Sequence, residues 1–142
     1  NTVANGGVYV KPYILDAYVD DKNSTIEKLN TTNSSVIKKS TAEEMKSQMI
    51  NVVKNGTGKS AYIDGMEIGG KTGSTQRIEL TGKGRTAEEH SDGWFVGFFN
   101  YNGRYYSMVV FVKDIDKNNE SGGNTAALIF RNIVLNVRQY LN

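Results

Sequence analysis

Two runs rich in aromatic and β-branched residues, Trp94 to Tyr101 and Arg104 to Val112, are separated only by Asn102-Gly103. Asn-Gly between such runs signals a hairpin closed by a type I′ turn, because both turn residues must take a positive φ that Asn and Gly tolerate. The chain must therefore build around an antiparallel sheet. Gly97 within the first run implies that some other group approaches the backbone there. From Thr125 to Leu141 the period changes, with Ala126, Phe130, Ile133, Val134, Val137 and Leu141 on one helical face. A helix laid on an antiparallel sheet makes the fold α+β.

The rest of the chain is read from punctuation. Val3 to Gly7 is a break, and Val8 to Leu15 reads as a strand in which Pro12 marks an edge or bulge. Asp20 to Ser24 is a turn, Thr25 to Leu29 its return strand, and Asn30 to Ser35 a second polar turn. Ser40 to Lys54 is a helix, capped by Ser40 or Thr41 with Glu43 or Glu44 as reciprocal partner. Ala42, Met45, Met49, Val52 and Val53 form its apolar stripe, and Asn55-Gly56 stops it. Gly56 to Ser60 reads as a mobile polar loop, and Arg77 to Asp92 as a long polar connection carrying the one histidine, His90. With Glu88, Glu89 and Asp92 nearby a metal cluster is conceivable, but a flexible acidic loop is the simpler reading.

The stretch with chemical content is Ile68-Gly69-Gly70-Lys71-Thr72-Gly73-Ser74-Thr75-Gln76. In an extended strand Thr72, Ser74 and Gln76 share one face and Lys71 and Thr75 the other. Hydroxyls, N–H groups and an ammonium along one strand edge suit a carboxylate or a developing oxyanion. Two motifs compete for these residues. Gly65 to Thr72 matches the phosphate-loop spacing G-x-x-x-x-G-K-[ST], which requires a helix to open at the Lys-Thr pair. The residues that follow, Thr72 to Thr75, are poor helix formers without amphipathic period, which argues against nucleotide binding. The other reading is a Lys-Thr-Gly motif carried on a strand.

Composition excludes more than it selects. The chain has 142 residues and a net charge of +2, which fits one domain without a nucleic-acid surface. No cysteine is present, so disulfides and thiolate metal sites are excluded. There is no apolar run of membrane-spanning length and no signal peptide. The first residue is Asn rather than Met, and we expect a piece of a longer chain, a single partial domain over residues 1–142.

Four stretches in order carry a family resemblance: Ala4-Asn5-Gly6-Gly7 with Lys11-Pro12, then Val52 to Gly58, then Gly70 to Gln76, then Asp92 to Phe98. The closing Ala126 to Phe130 segment is similar too. Together they resemble the C-terminal part of a penicillin-binding protein transpeptidase domain, most like the class B, monofunctional kind. The resemblance implies the penicillin-binding and serine β-lactamase-like fold and a serine D-Ala-D-Ala transpeptidase. In that family a serine attacks the peptidoglycan stem peptide, the acyl-enzyme is resolved by a second strand's amine, and β-lactam antibiotics acylate the same serine. It implies that Lys71 supplies positive charge and hydrogen bonds to the serine of an S-x-N motif. Thr72 and Ser74 hydroxyls would hold the terminal carboxylate, with Gly73 between them. The Ser74 backbone N–H would be one of two oxyanion-hole donors, and Gln76 would line the groove. No cofactor or metal is implied. The location implied is the extracytoplasmic face of the bacterial membrane, through an N-terminal anchor outside this chain.

Two of the family's three motifs are missing. No Ser-x-Asn occurs, and Ser35-Val36-Ile37-Lys38, which spells S-x-x-K, lies in a β-branched run before a helix rather than opening one. We therefore expect the nucleophile in a missing N-terminal half of the domain, and the fragment alone to be inactive. A β-lactam sensor or class D-like β-lactamase shares the Lys-Thr-Gly and Gly-Trp-Phe strands and is the alternative.

Overall fold

The computed structural model describes residues 1–28, 32–81, 86–115 and 122–141. It divides into two compact units, Asn1–Glu43 and Glu44–Asn142.

The first unit consists of turns and two short antiparallel pairs. β1 (Val8–Val10) pairs with β4 (Asn33–Ser35), and β2 (Ala17–Val19) pairs with β3 (Thr25–Lys28). The strand expected over Val8 to Leu15 thus ends at Val10, before Pro12, which cannot donate to a ladder. The return strand pairs with Ala17–Val19 instead, while Asn33–Ser35, read as turn, is a strand matched to β1. The turn between β2 and β3 is held by Asp20, whose Oδ1 accepts the N–H groups of Lys22 (2.9 Å) and Ser24 (2.8 Å). Asn23 there takes φ 63°, a left-handed conformation that asparagine tolerates.

Helix α1 (Lys39–Asn55) starts ahead of the expected cap, so Ser40 and Thr41 lie within its first turn. The Ala42 N–H already donates to the Lys38 carbonyl at 3.0 Å. Of the expected stripe, Ala42 and Val53 are buried, whereas Met45 is exposed.

The second unit is a three-stranded antiparallel sheet in the order β5 (Ile68–Thr81), β6 (Thr86–Tyr101), β7 (Arg104–Val112), with α2 (Gly122–Val137) against it. The hairpin forms as expected, and Asn102 and Gly103 both have positive φ, 51° and 78°. Of the region read as a polar connection, residues 77–81 and 86–92 are strand rather than loop, and residues 82–85, with Gly82 and Gly84, lie outside the described residues. Strands β5 and β6 continue in register through Arg77↔His90 and Glu79↔Glu88. Ile78 and Leu80 alternate here with Arg77, Glu79 and Thr81, a strand period outnumbered by the polar residues around it, and backbone pairing carries the run. Phe95 and Phe99 on β6 meet Phe130 of α2 edge to face, with ring centroids 4.8 and 6.2 Å apart. Val53, Ile68, Val110, Ala126 and Val134 complete this core. Gly97 lies under it, and a Cβ there would stand 2.7 Å from Phe95 Cε1, which is the close approach its position implied.

Candidate active site

β6 lies along one side of β5, and the hydrogen-bond phase decides which groups of β5 face outward. The Asn100 N–H donates to the Glu67 carbonyl at 2.9 Å, and the Ser91 carbonyl accepts from Ile115 N–H, on the β7 side, at 2.7 Å. In an antiparallel ladder the bonded pairs alternate. With Ile68↔Phe99 and Gln76↔Ser91 in register, both bonds fix the same phase. The peptide groups of Gly70, Thr72, Ser74 and Gln76 are directed away from β6.

Side-chain direction follows from the same register. Thr72, Ser74 and Gln76 lie on the face of Phe95, which is opposite Thr72, whereas Lys71 lies on the face of Val96. The Lys71 ammonium nevertheless returns to the outer edge. Its Nζ donates to the Thr72 carbonyl at 2.7 Å and to Thr72 Oγ1 at 3.5 Å. Thr72 Oγ1 in turn shares a hydrogen bond of 2.9 Å with Thr57 Oγ1. An ammonium and two hydroxyls thus form one line, with Ser74 and Gln76 spaced along the strand at about 7 Å per two residues. Lys71, Ser74 and Gln76 are exposed and Thr72 and Gly73 partly so. Such an edge can receive an anion or polarise a carbonyl oxygen.

Thr57 was not anticipated, because Gly56 to Ser60 reads as a mobile loop. The structure holds that loop in place. The Gly56 and Gly58 N–H groups both donate to the Val52 carbonyl at 3.0 Å, and Lys59–Ala61 forms a 3-10 turn. A Cβ on Gly58 would lie 3.2 Å from Val52 O and 3.4 Å from Phe95 Cε2, so glycine lets the loop sit against the core. The available signal was a threonine between two glycines just after a helix stop.

His90 is likewise anchored. On β6 its Nδ1 lies 2.8 Å from Asp114 Oδ1 and its Nε2 3.9 Å from Glu79 Oε2. Arg77 joins the same group and bonds Glu79. That bond, with the charges of Asp92 and Asp114, outweighs desolvation and holds the guanidinium above its ordinary pKa. The phosphate-loop reading fails, because Lys71 and Thr72 lie inside a strand rather than at a helix N-terminus. Ser35 ends β4 and Lys38 precedes α1, so the S-x-x-K spelling does not open a helix.

With this geometry the class of protein is defined: the chain belongs to the penicillin-binding protein transpeptidase domain family, which matches residues 1–135. Among named proteins it is similar to the peptidoglycan D,D-transpeptidase FtsI homolog of Mesostigma viride, at 29% identity over 93% of this chain and 24% of that protein. It is similar also to stage V sporulation protein D of Bacillus subtilis, at 29% identity over 94% of this chain and 21% of that one. The chain therefore spans about a quarter or less of these relatives. Among solved structures, penicillin-binding protein 3 of Mycobacterium tuberculosis superposes with a TM-score of 0.76 at 26% identity, over 98% of this chain and 33% of that one. The D,D-transpeptidase domain of a peptidoglycan glycosyltransferase from Eggerthella lenta gives 0.72 at 26% identity, over 99% and 31%. The expected family and the α+β fold are both borne out.

Proposed function

We propose that this chain supplies the Lys-Thr-Gly wall of a serine D,D-transpeptidase that cross-links peptidoglycan stem peptides and is acylated by β-lactams. The observation that carries the reading is the line Lys71 Nζ, Thr72 Oγ1 and Thr57 Oγ1 on the outward edge of β5. Family membership supplies the chemistry. A serine oxygen attacks the carbonyl of the penultimate D-Ala, the terminal D-Ala leaves, and an amine of a second strand displaces the serine to close the cross-link.

In this scheme the Ser74 N–H is an oxyanion-hole donor, and losing one such donor costs about 3 kcal/mol of transition-state stabilisation. Thr72 and Ser74 hydroxyls receive the substrate carboxylate, with Gly73 leaving the strand slim between them. Gln76 borders the groove, and Lys71 holds the serine of an S-x-N motif supplied by residues outside this chain. The nucleophile comes from outside as well, since Ser35 is on a short strand. The protein would act on the outer face of the cytoplasmic membrane, where the substrate lies. Among the described residues no helix is long and apolar enough to span a membrane, so anchoring would fall to other segments.

The test is the intact mass of the longer protein after incubation with a penicillin, beside its Lys71→Ala variant and beside the 142-residue chain. One added drug mass on the longer protein alone, slowed strongly by Lys71→Ala, supports the reading. Acylation of the 142-residue chain itself would place the nucleophile within it and overturn the division of labour. No labelling of any of the three would remove the transpeptidase assignment.

A further inference from the structure

Immediately beyond Gln76, one arginine crosses the whole sheet. The three kinds of guanidinium nitrogen in Arg77 each meet a different carboxylate: Nη1 meets Glu79 on β5, Nε lies 3.6 Å from Asp92 Oδ2 on β6, and Nη2 lies 2.9 Å from Asp114 Oδ1 beyond β7. Asp92 is the one buried charged residue among those described, at 6% exposure. Its second oxygen accepts the Asp114 N–H at 3.0 Å. Asp114 takes φ 55°, an uncommon conformation for a non-glycine residue, which persists where surrounding bonds enforce it. The next residue, Ile115, is buried and donates to the Ser91 carbonyl. Residues 113–115, just after β7, thus run on beside Ser91 and Asp92 of β6 and are tied to β5 through a single side chain.

We propose that Arg77, with Asp92 and Asp114, is a positioning clamp that fixes the outer edge of β5 at Ser74 and Gln76 for acyl transfer. This rests on the transpeptidase reading above. β5 has a neighbouring strand on one side only within the described sheet, so its outer edge needs restraint if an N–H on it is to meet a developing oxyanion. Arg77 adjoins Gln76 and lies three residues from Ser74, so slack at the clamp reaches the donor directly. A lysine could supply the charge but not three separately aimed donors. His90, opposite Arg77 in the register and in contact with Asp114 and Glu79, completes the group around the clamp.

The experiment uses the longer protein and measures β-lactam acylation as a binding constant and a first-order rate k2, beside the thermal midpoint. Arg77→Gln is expected to lower k2 by about tenfold or more, as sub-ångström misplacement of a catalytic group does, with a smaller change in binding. Arg77→Lys is expected to stay slow. Asp114→Asn keeps its N–H bond to Asp92 while losing the charge, and gives a second route should Arg77→Gln fail to fold; it too should lower k2. Full restoration by lysine overturns the clamp in favour of simple charge. A lowered thermal midpoint with unchanged k2 in the variants that fold overturns it in favour of a merely structural ion pair. Absence of acylation in the wild type removes the transpeptidase reading itself, and with it the clamp's role.

Discussion

Replacing Gly97 by alanine tests whether the Phe95–Phe130 contact is as tight as described. The added Cβ would stand 2.7 Å from Phe95 Cε1, 2.9 Å from the Gly69 carbonyl oxygen and 3.2 Å from Phe130 Cε2. Two of these neighbours are rings with no exposed surface, and the third is backbone. Phe95 cannot swing aside freely, because its Cζ already occupies the space where a Cβ on Gly70 would lie, at 2.3 Å. Overpacking of this kind costs about 1–3 kcal/mol. Alanine recovers roughly 0.5–1 kcal/mol by restricting the unfolded chain, so the net loss should be about 1–1.5 kcal/mol. For a chain of this size each kcal/mol moves the thermal midpoint by roughly 3–4 °C, giving a fall of about 3–6 °C. Gly73→Ala is the control, since its Cβ would meet only Trp94 Cβ, at an ordinary 3.4 Å, and its stability should stay within about 0.5 kcal/mol of wild type. Both can be followed by thermal and urea denaturation. Equal stabilities for the two variants would refute the packing argument.

Thr57→Val removes the 2.9 Å bond to Thr72 while keeping the shape, and a neutral hydrogen bond contributes about 1 kcal/mol. Acylation efficiency of the longer protein should fall about fivefold, with Thr57→Ser near wild type; equal behaviour of Val and Ser would exclude the hydroxyl. At Tyr62, the hydrogen bond to Asp64 and that carboxylate's charge raise the phenol above its ordinary value of 10.0. Because the folded pKa is the raised one, the associated stability is fully present below the unfolded value and is lost as pH rises through the folded one. Ultraviolet titration of wild type minus Tyr62→Phe should show the raised midpoint, and Asp64→Asn should lower it; an unmoved midpoint would remove Asp64 as the cause.

The sheet was legible where sequence and backbone demand coincide. Asn102-Gly103 allowed little but a type I′ turn, and the alternation through Thr72, Ser74 and Gln76 assigned those side chains to a common face before any coordinates. It was illegible where strands are built from polar residues. Arg77 to Thr81 pairs with Thr86 to His90, but its only apolar alternation is the short pair Ile78 and Leu80, polar residues dominate the run, and Arg77 meets Asp92 and Asp114, which lie well beyond it in sequence. Asn33–Ser35 fails as a sequence signal for the same reason. Thr57 escaped notice because its meaning depends on a residue fifteen positions away, brought near by the turn after α1. Asp114 escaped because only its left-handed backbone and its partners, not its neighbours in sequence, distinguish it.

The two glycines that precede Lys71 bear on how this site can vary over generations. Phe98 lies over Gly69 on one side of β5 and Phe95 over Gly70 on the other, with ring atoms 2.3 Å from where each Cβ would be. Any larger residue at either position collides with an aromatic ring of the central strand, so the approach to the lysine has almost no mutational latitude. Selection for altered ligand preference would have to work elsewhere along the edge. Exposed Ser74 and Gln76, and Thr57 in the adjoining loop, can change without disturbing the core. On the transpeptidase reading proposed above, inherited differences in β-lactam response that arise within this chain should therefore gather downstream of the lysine and in that loop, leaving the glycine pair untouched.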